Sequence, residues 1–301
     1  KLKKIKYTYT SDQKHWVGDG FHVYGLLRPS EELNKFISPF IMLDYASPKE
    51  FSITNQRRGV GEHPHRGQRE PRHARKWVLE TNEGAHSGSK EIHLIGKNEE
   101  EVSKLAKETG GSYSIADVTD PNFIEKIDKD LGDLDISGIA YCVGSIDLKP
   151  INLTSKKDYL KSFELNFFPV VEIIKKYKEN LKKNKSSIVV FSTVAVKQGF
   201  PNHSIISPVK ASLEGLTVSL AAELAPNVRM NCIAPSLSYS KMAGRILGNT
   251  KIAEGIAKQH PLKRVGEGVD SAALAKFLLS EESSWITGQI IGVDGGRSNV
   301  G

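Results

Sequence analysis

His203 and Lys210 lie seven residues apart, with Ser204, Ile206 and Ser207 between them. Positions three, four and seven apart share one face of a helix, so an imidazole, an apolar group and an amine would line one side there. Histidine ordinarily changes charge near neutral pH, which suits His203 to giving and taking protons. The competing reading puts His203 in the loop before the helix, in contact with water, and makes Ser204 and Ser207 an N-cap and a first-turn residue. A second group is His63-Pro64-His65. Alternate residues of a strand point the same way, so both imidazoles could reach one metal ion, with His73 or His86 as further ligands. Two imidazoles alone leave coordination positions open, and a plain surface pair is the alternative. A third group is Gly84-Ala85-His86-Ser87-Gly88. It is either a turn that brings backbone N–H groups to a phosphate or a simple linker.

The elements that would position these groups fall into two textures. Residues 1–67 combine Gly, Pro and aromatics with short apolar runs, Phe21–Leu27 and Phe36–Leu43, separated by turn formers. That is a β pattern. Residues 68–90 are polar and basic around a short apolar island, Trp77–Leu79, and read as a linker or junction. From Glu91 onward, buried strands alternate with amphipathic helices. Strands are expected at Ile92–Ile95, Tyr113–Ala116, Ile136–Val143, Ser187–Ser192, Arg229–Ile233 and Ile290–Val293. Helices are expected at Glu99–Thr109, Asn122–Leu131, Lys156–Lys183, Ser204–Leu224 and Asp270–Leu279. Apolar strands without alternation imply a parallel sheet covered on both faces, so the fold class is α/β and doubly wound.

Composition narrows the function classes. With 39% hydrophobic and 26% charged residues among 301, the chain is suited to a packed globular fold rather than to disorder throughout. No run approaches a membrane span and no apolar stretch follows the basic N-terminal residues, so a cytoplasmic location is expected. Cys142 and Cys232 are the two cysteines, both in apolar strand runs, which excludes a disulfide framework and reads as core packing. The net charge of +7 is concentrated in residues 1–90, with 16 Lys/Arg against 10 Asp/Glu. That surplus is scattered and lacks interleaved aromatics, so nucleic-acid binding is not expected.

Several ordered landmarks make residues 91–301 resemble the short-chain dehydrogenase/reductase family. Lys97-Asn98 follows the first strand of this region, Asp117-Val118 follows the second, and Ser192-Thr193-Val194-Ala195 resembles the family's Ser-Ser-x-Ala stretch. Pro235-Ser236 resembles its Pro-Gly turn, and Ile286-Thr287-Gly288-Gln289 through Asp294-Gly295-Gly296 resembles its C-terminal signature. The resemblance implies a Rossmann-like sheet, NADP or NAD as cofactor, and hydride transfer to or from a carbonyl or alcohol substrate. It implies cofactor contacts at Lys97, Asn98, Asp117, Val118, Gly144, Lys210, Pro235 and Ser236, and catalytic roles for Thr193, Lys210 and Asn166. It also implies a homo-oligomer, dimer or tetramer, through the helices Lys156–Lys183 and Ser204–Leu224.

Two departures stand out. The family's proton-donating Tyr, four before the Lys, is replaced by Ile206; His203, Ser204 and Ser207 are the nearby groups that could replace it, and His203 alone has a suitable ordinary pKa. The glycine cluster stands only three residues, Ser89 to Glu91, before the next strand, whereas a parallel crossover needs about a dozen. The N-terminal β-α unit is therefore expected to be incomplete, with the sheet either lacking a central strand or borrowing Trp77–Leu79. The family's Asn-Asn-Ala-Gly stretch is altered to Tyr141-Cys142-Val143-Gly144.

Residues 15–67 carry a second resemblance. Gly18-Asp19-Gly20-Phe21, Ser38-Pro39-Phe40-Ile41-Met42-Leu43-Asp44 and His63-Pro64-His65-Arg66-Gly67 resemble the N-terminal half of pirin, a cupin-type β-barrel family. That resemblance implies iron at His63 and His65, although no segment for the remaining ligands follows. Both resemblances break off at 68–90, as if two truncated reading frames were joined there, and the initial Lys suggests a trimmed sequence. Three functions follow as expectations: a short-chain oxidoreductase with an unconventional proton donor, an inactive reductase-like scaffold, or a pirin-like metal protein.

Overall fold

The computed structural model describes residues 40–43, 92–240 and 242–300. Among these residues, seven strands form one sheet: β1 (Phe40–Leu43), β2 (Ile92–Gly96), β3 (Ser112–Ile115), β4 (Gly138–Tyr141), β5 (Ser187–Phe191), β6 (Arg229–Pro235) and β7 (Ile290–Val293). Every pairing is parallel and the order is β3-β2-β1-β4-β5-β6-β7. The helices are α1 (Glu99–Thr109), α2 (Phe123–Leu131), α3 (Lys156–Asn166), α4 (Phe168–Lys183), α5 (Ile206–Leu224), the short α6 (Gly244–Leu247), α7 (Thr250–Lys258) and α8 (Gly268–Leu279).

β2 and β4 are buried at every position and β5 at all but the last, as a sheet with helices on both faces requires. One core layer joins Ile127, Ile139, Ile173, Ile188 and Leu213 beneath α2, α4 and α5. The other joins Leu94, Val102, Ala140, Val189 and Leu278 beneath α1 and α8. Local signals set the helix ends. Asn98 accepts from the Glu101 N–H at 3.2 Å to start α1, and Gly110, with φ +67°, ends it in the left-handed conformation. Ser155 and Asp158 form a capping box at α3.

Three expectations are corrected. The central strand position is filled neither by a gap nor by Trp77–Leu79, which lies outside the described residues. Phe40–Leu43 sits there, paired in register with Ile92–Ile95 on one side and Gly138–Tyr141 on the other. Part of the presumed separate β segment thus belongs to the α/β sheet. The expected single helix from Lys156 to Lys183 is two helices. Pro169 has no N–H for the Leu165 carbonyl, and the Tyr141 hydroxyl donates to that carbonyl at 2.7 Å instead. The helix expected from Ser204 starts at Ile206, although Ser207 N–H already bonds the His203 carbonyl at 2.9 Å in helical fashion.

Candidate active site

Because the strands are parallel, their carboxyl ends share one edge of the sheet, which brings together the loops after β2, β3, β4, β5 and β6. After β2, the Asn98 side chain is engaged in capping α1, and the Lys97 ammonium lies 3.9 Å from the Asp117 carboxylate that follows β3. Burial pushes the Asp117 carboxyl up, but the Thr119 N–H and hydroxyl, together with Lys97, hold it below its ordinary value. Val118 is buried in the core, so its side chain packs while its backbone stays at the edge.

The loop after β4 carries Gly144. A Cβ there would stand 2.9 Å from Asn166 Oδ1 and 3.0 Å from Lys210 Nζ, so only glycine leaves these two side chains where they are. Asn166, fully buried at the end of α3, accepts from Ser145 N–H at 3.2 Å and donates to the Ser162 carbonyl at 2.8 Å. Its amide is thereby fixed in orientation at the break between α3 and α4. Lys210 reaches the same place from α5 and donates to the Phe191 carbonyl at 2.9 Å. Burial pulls its pKa down to about 8, because the charged ammonium has lost most of its water.

Thr193 follows β5, with its Oγ1 accepting from the Ala195 N–H at 3.2 Å. Its neighbour Ser192 donates to Glu214 Oε1 at 2.5 Å, which ties the strand end to α5. Ile206 opens α5 buried, four residues before Lys210. His203 Nδ1 lies 2.8 Å from the Pro201 carbonyl, which calls for the proton on Nδ1 and leaves Nε2 for exchange. Its ring is 5.4 Å from that of Phe200, and the Arg297 guanidinium stacks over Phe200 at 4.6 Å. The Ser207 hydroxyl donates to the Ala195 carbonyl at 2.7 Å, while Ser204 Oγ is closed to water and has no hydrogen-bond partner. The expected N-cap role of Ser204 does not materialise, since α5 has no side-chain cap.

At the end of β6, the Pro235 carbonyl accepts from Val194 N–H, and Ser236 Oγ lies 2.8 Å from Nε2 of the buried His260. His260 Nδ1 faces the Ile256 carbonyl at 2.8 Å, so Ser236 donates to Nε2. His260, Phe200, Arg297 and Ser145 were not singled out from the sequence. Their partners are remote in the chain or backbone groups, and no local spacing announces them.

The structure brings Lys210 and Asn166 together at Gly144, while Thr193 follows β5 and Lys97 and Asp117 follow β2 and β3 on the same sheet edge. Cys232 is buried, with its thiol pushed up to about 12 by burial, as a core residue would be. Among the described residues, no group of three or more His, Cys, Asp or Glu could hold a metal ion. His63, His65, His73, His86, Gly84 and Gly88 lie outside them.

Residues 84–298 match the family described as Enoyl-(acyl carrier protein) reductase. The chain is 34% identical over 176 residues to the short-chain dehydrogenase/reductase SDRA of Arabidopsis thaliana, covering 58% of this chain and 68% of that one. In fold it is similar to a short-chain type dehydrogenase/reductase from Mycobacterium ulcerans, with TM-score 0.69, 21% identity and coverage of 87% and 90%. It is also similar to a gluconate 5-dehydrogenase from Burkholderia cenocepacia solved with NADP and tartrate, with TM-score 0.67, 20% identity and coverage of 73% and 90%. With its parallel sheet in this strand order and its site at the carboxyl edge, the chain belongs to the short-chain dehydrogenase/reductase family.

Proposed function

We propose that the chain is an NADP(H)-dependent oxidoreductase acting between a carbonyl and the corresponding alcohol. The observation that carries the reading is the cradle of Gly144, Asn166 and Lys210. The Lys210 ammonium has three N–H donors, and its one hydrogen bond among the described residues goes to Phe191. A ribose diol is what those remaining donors would bind, and the bare Gly144 lets Lys210 and Asn166 keep the positions from which they would do so. Lys97 offers a cation to a 2′-phosphate, which supports NADP over NAD. When bound, the nicotinamide supplies the hydride. The Thr193 hydroxyl orients the carbonyl oxygen, Asn166 and Lys210 fix the site electrostatically, and His203, as the imidazolium, gives the proton from Nε2 and keeps the one on Nδ1 that bonds the Pro201 carbonyl. Pro235 and Ser236 shape the wall beside the ring, with Ser236 held by His260.

A second reading, a scaffold that binds nucleotide without turnover, is favoured by one observation. Ile206 is buried where the donor hydroxyl would stand, and general acid catalysis contributes roughly 10²–10⁴-fold. Titration with NADPH, followed by nicotinamide fluorescence and then by turnover of an aldehyde and ketone panel, separates the two. Saturable binding weakened by Lys210→Ala, together with turnover, is expected; binding without turnover would establish the scaffold. Self-association in this reading uses Leu160, Phe168 and Val218, which α3, α4 and α5 leave exposed. Size-exclusion chromatography with light scattering tests it.

A further inference from the structure

We propose that Arg297 binds a carboxylate on the substrate, so that the compounds interconverted here are oxo acids and the matching hydroxy acids. The inference deepens the oxidoreductase reading and rests on it. Three strand tips stand side by side where Arg297 lies. Val194 N–H, after β5, bonds the Pro235 carbonyl at the end of β6, and Ser236 N–H bonds the Val293 carbonyl at the end of β7, each at 3.1 Å. Beyond those tips the segments that leave β5 and β7 meet. The Arg297 guanidinium lies over the Phe200 ring at 4.6 Å, and Lys197 Nζ donates to Asn299 Oδ1. The Phe200 ring in turn lies 5.4 Å from that of His203. The guanidinium is therefore no farther from the proton-donating imidazole than those two spacings laid end to end.

The charge at Arg297 is under-answered by the protein. Of the five N–H donors of its guanidinium, one bond is made among the described residues, to Gln259 Oε1 at 2.5 Å. Asp294, the acid that pulls on it, spends both carboxylate oxygens on the N–H groups of Gly296 and Ser298, at 2.9 Å each. Burial disfavours the cation by more than Asp294 supports it. The side chain is half-buried, so its remaining donors stay within reach of a ligand. A planar fork of N–H groups matches the two oxygens of a carboxylate, and the contact with Phe200 already restrains the long side chain, so less freedom is lost on binding. A substrate with its carbonyl at Thr193 and His203 and a carboxylate a few carbons away engages both ends of this arrangement. Reduction adds a hydride to the carbonyl carbon and a proton to its oxygen, converts NADPH to NADP, and leaves the carboxylate as it was.

The test measures kcat/KM with NADPH for 2-oxobutanoate, 3-oxobutanoate and 4-oxopentanoate, for the methyl ester of each, and for butanal, in wild type, Arg297→Met and Arg297→Lys. Wild type should favour at least one acid over its ester by about tenfold to a hundredfold, the worth of a hydrogen bond to a charged group. Arg297→Met should bring that ratio near one, and Arg297→Lys should keep part of it. A merely structural role, holding Phe200 and His203, lowers acid and ester alike and leaves the ratio where it was. An unchanged ratio in Arg297→Met, or wild type that turns over the esters or butanal and prefers no acid, overturns the proposal and leaves the oxidoreductase reading standing. Wild type that turns over none of these compounds overturns that reading, and this role with it.

Discussion

Lys210 Nζ stands 3.0 Å from the point where a side chain on Gly144 would begin, so the loop after β4 and the second turn of α5 meet with no room for a methyl group. Gly144→Ala must displace either the ammonium or the Asn166 amide. NADPH affinity in this variant is expected to fall tenfold or more, about 1.4 kcal/mol, with secondary structure by circular dichroism unchanged. Unaltered affinity would remove Gly144 from the cofactor cradle.

Burial sets the Lys210 pKa near 8, below its ordinary 10.5. A base whose folded pKa is depressed burdens the folded state most when both states are charged. The burden is therefore full below pH 8 and is relieved as pH rises from 8 toward 10.5. Lys210→Met should accordingly be more stable than wild type at pH 7, by on the order of 3 kcal/mol, and the gap should close by pH 10.5. Denaturant unfolding of both proteins across that range would show it. A gap independent of pH would mean that packing, not charge, separates them.

His93 is buried in β2, with Nδ1 and Nε2 each 2.8 Å from a hydroxyl, of Ser112 and Ser114 respectively. Burial lowers its pKa, against a smaller opposing pull from Asp130. The neutral ring is therefore the one the fold accepts, and stability should be full above its ordinary value of 6.5 and decline as pH falls below it. His93→Gln should flatten that part of the pH–stability curve; an unchanged slope would assign the acid sensitivity elsewhere.

The Tyr141 hydroxyl serves the carbonyl that Pro169 leaves unbonded. Tyr141→Phe should cost about 1–2 kcal/mol, read as a lower urea midpoint with an unchanged m value. Pro169→Ala in the same background should recover part of the loss by restoring the N–H. Independent, additive effects would show that the two groups are not linked.

His203→Gln keeps a polar side chain but cannot pass a proton to the substrate. On the proposed mechanism kcat should drop roughly a hundredfold while NADPH binding persists. Arg297→Ala, which removes the cation stacked on Phe200, should lower kcat less. Wild-type kcat in His203→Gln would transfer the proton-donor role to another group.

Much of this architecture was legible in the residues. The edges of α1 and β7 coincide with the apolar periodicity, and the unalternating apolar strands do form a parallel sheet. What escaped has physical reasons. The split between α3 and α4 depends on Pro169, whose cost to a helix is masked by strong apolar periodicity on either side. His260 and Arg297 act through Ser236 and Phe200, contacts made across long sequence separations that no local pattern encodes. The placement of Phe40–Leu43 was hidden because four apolar residues fit a barrel strand and a central parallel strand equally well.

That strand also works as a ruler. β2 and β3, with Lys97 and Asp117 at their tips, join the rest of the sheet through β1, whereas Gly144, Thr193 and Ser236 follow the strands on its other side. Neighbouring strands are about 4.8 Å apart, so inserting one between β2 and β4 sets their tips roughly 10 Å apart. Closing that gap would bring Lys97 and Asp117 a full strand width nearer to Gly144, Thr193 and Ser236. The spacing of the two halves of this edge is thus metered by four residues, Phe40–Leu43, that lie between them.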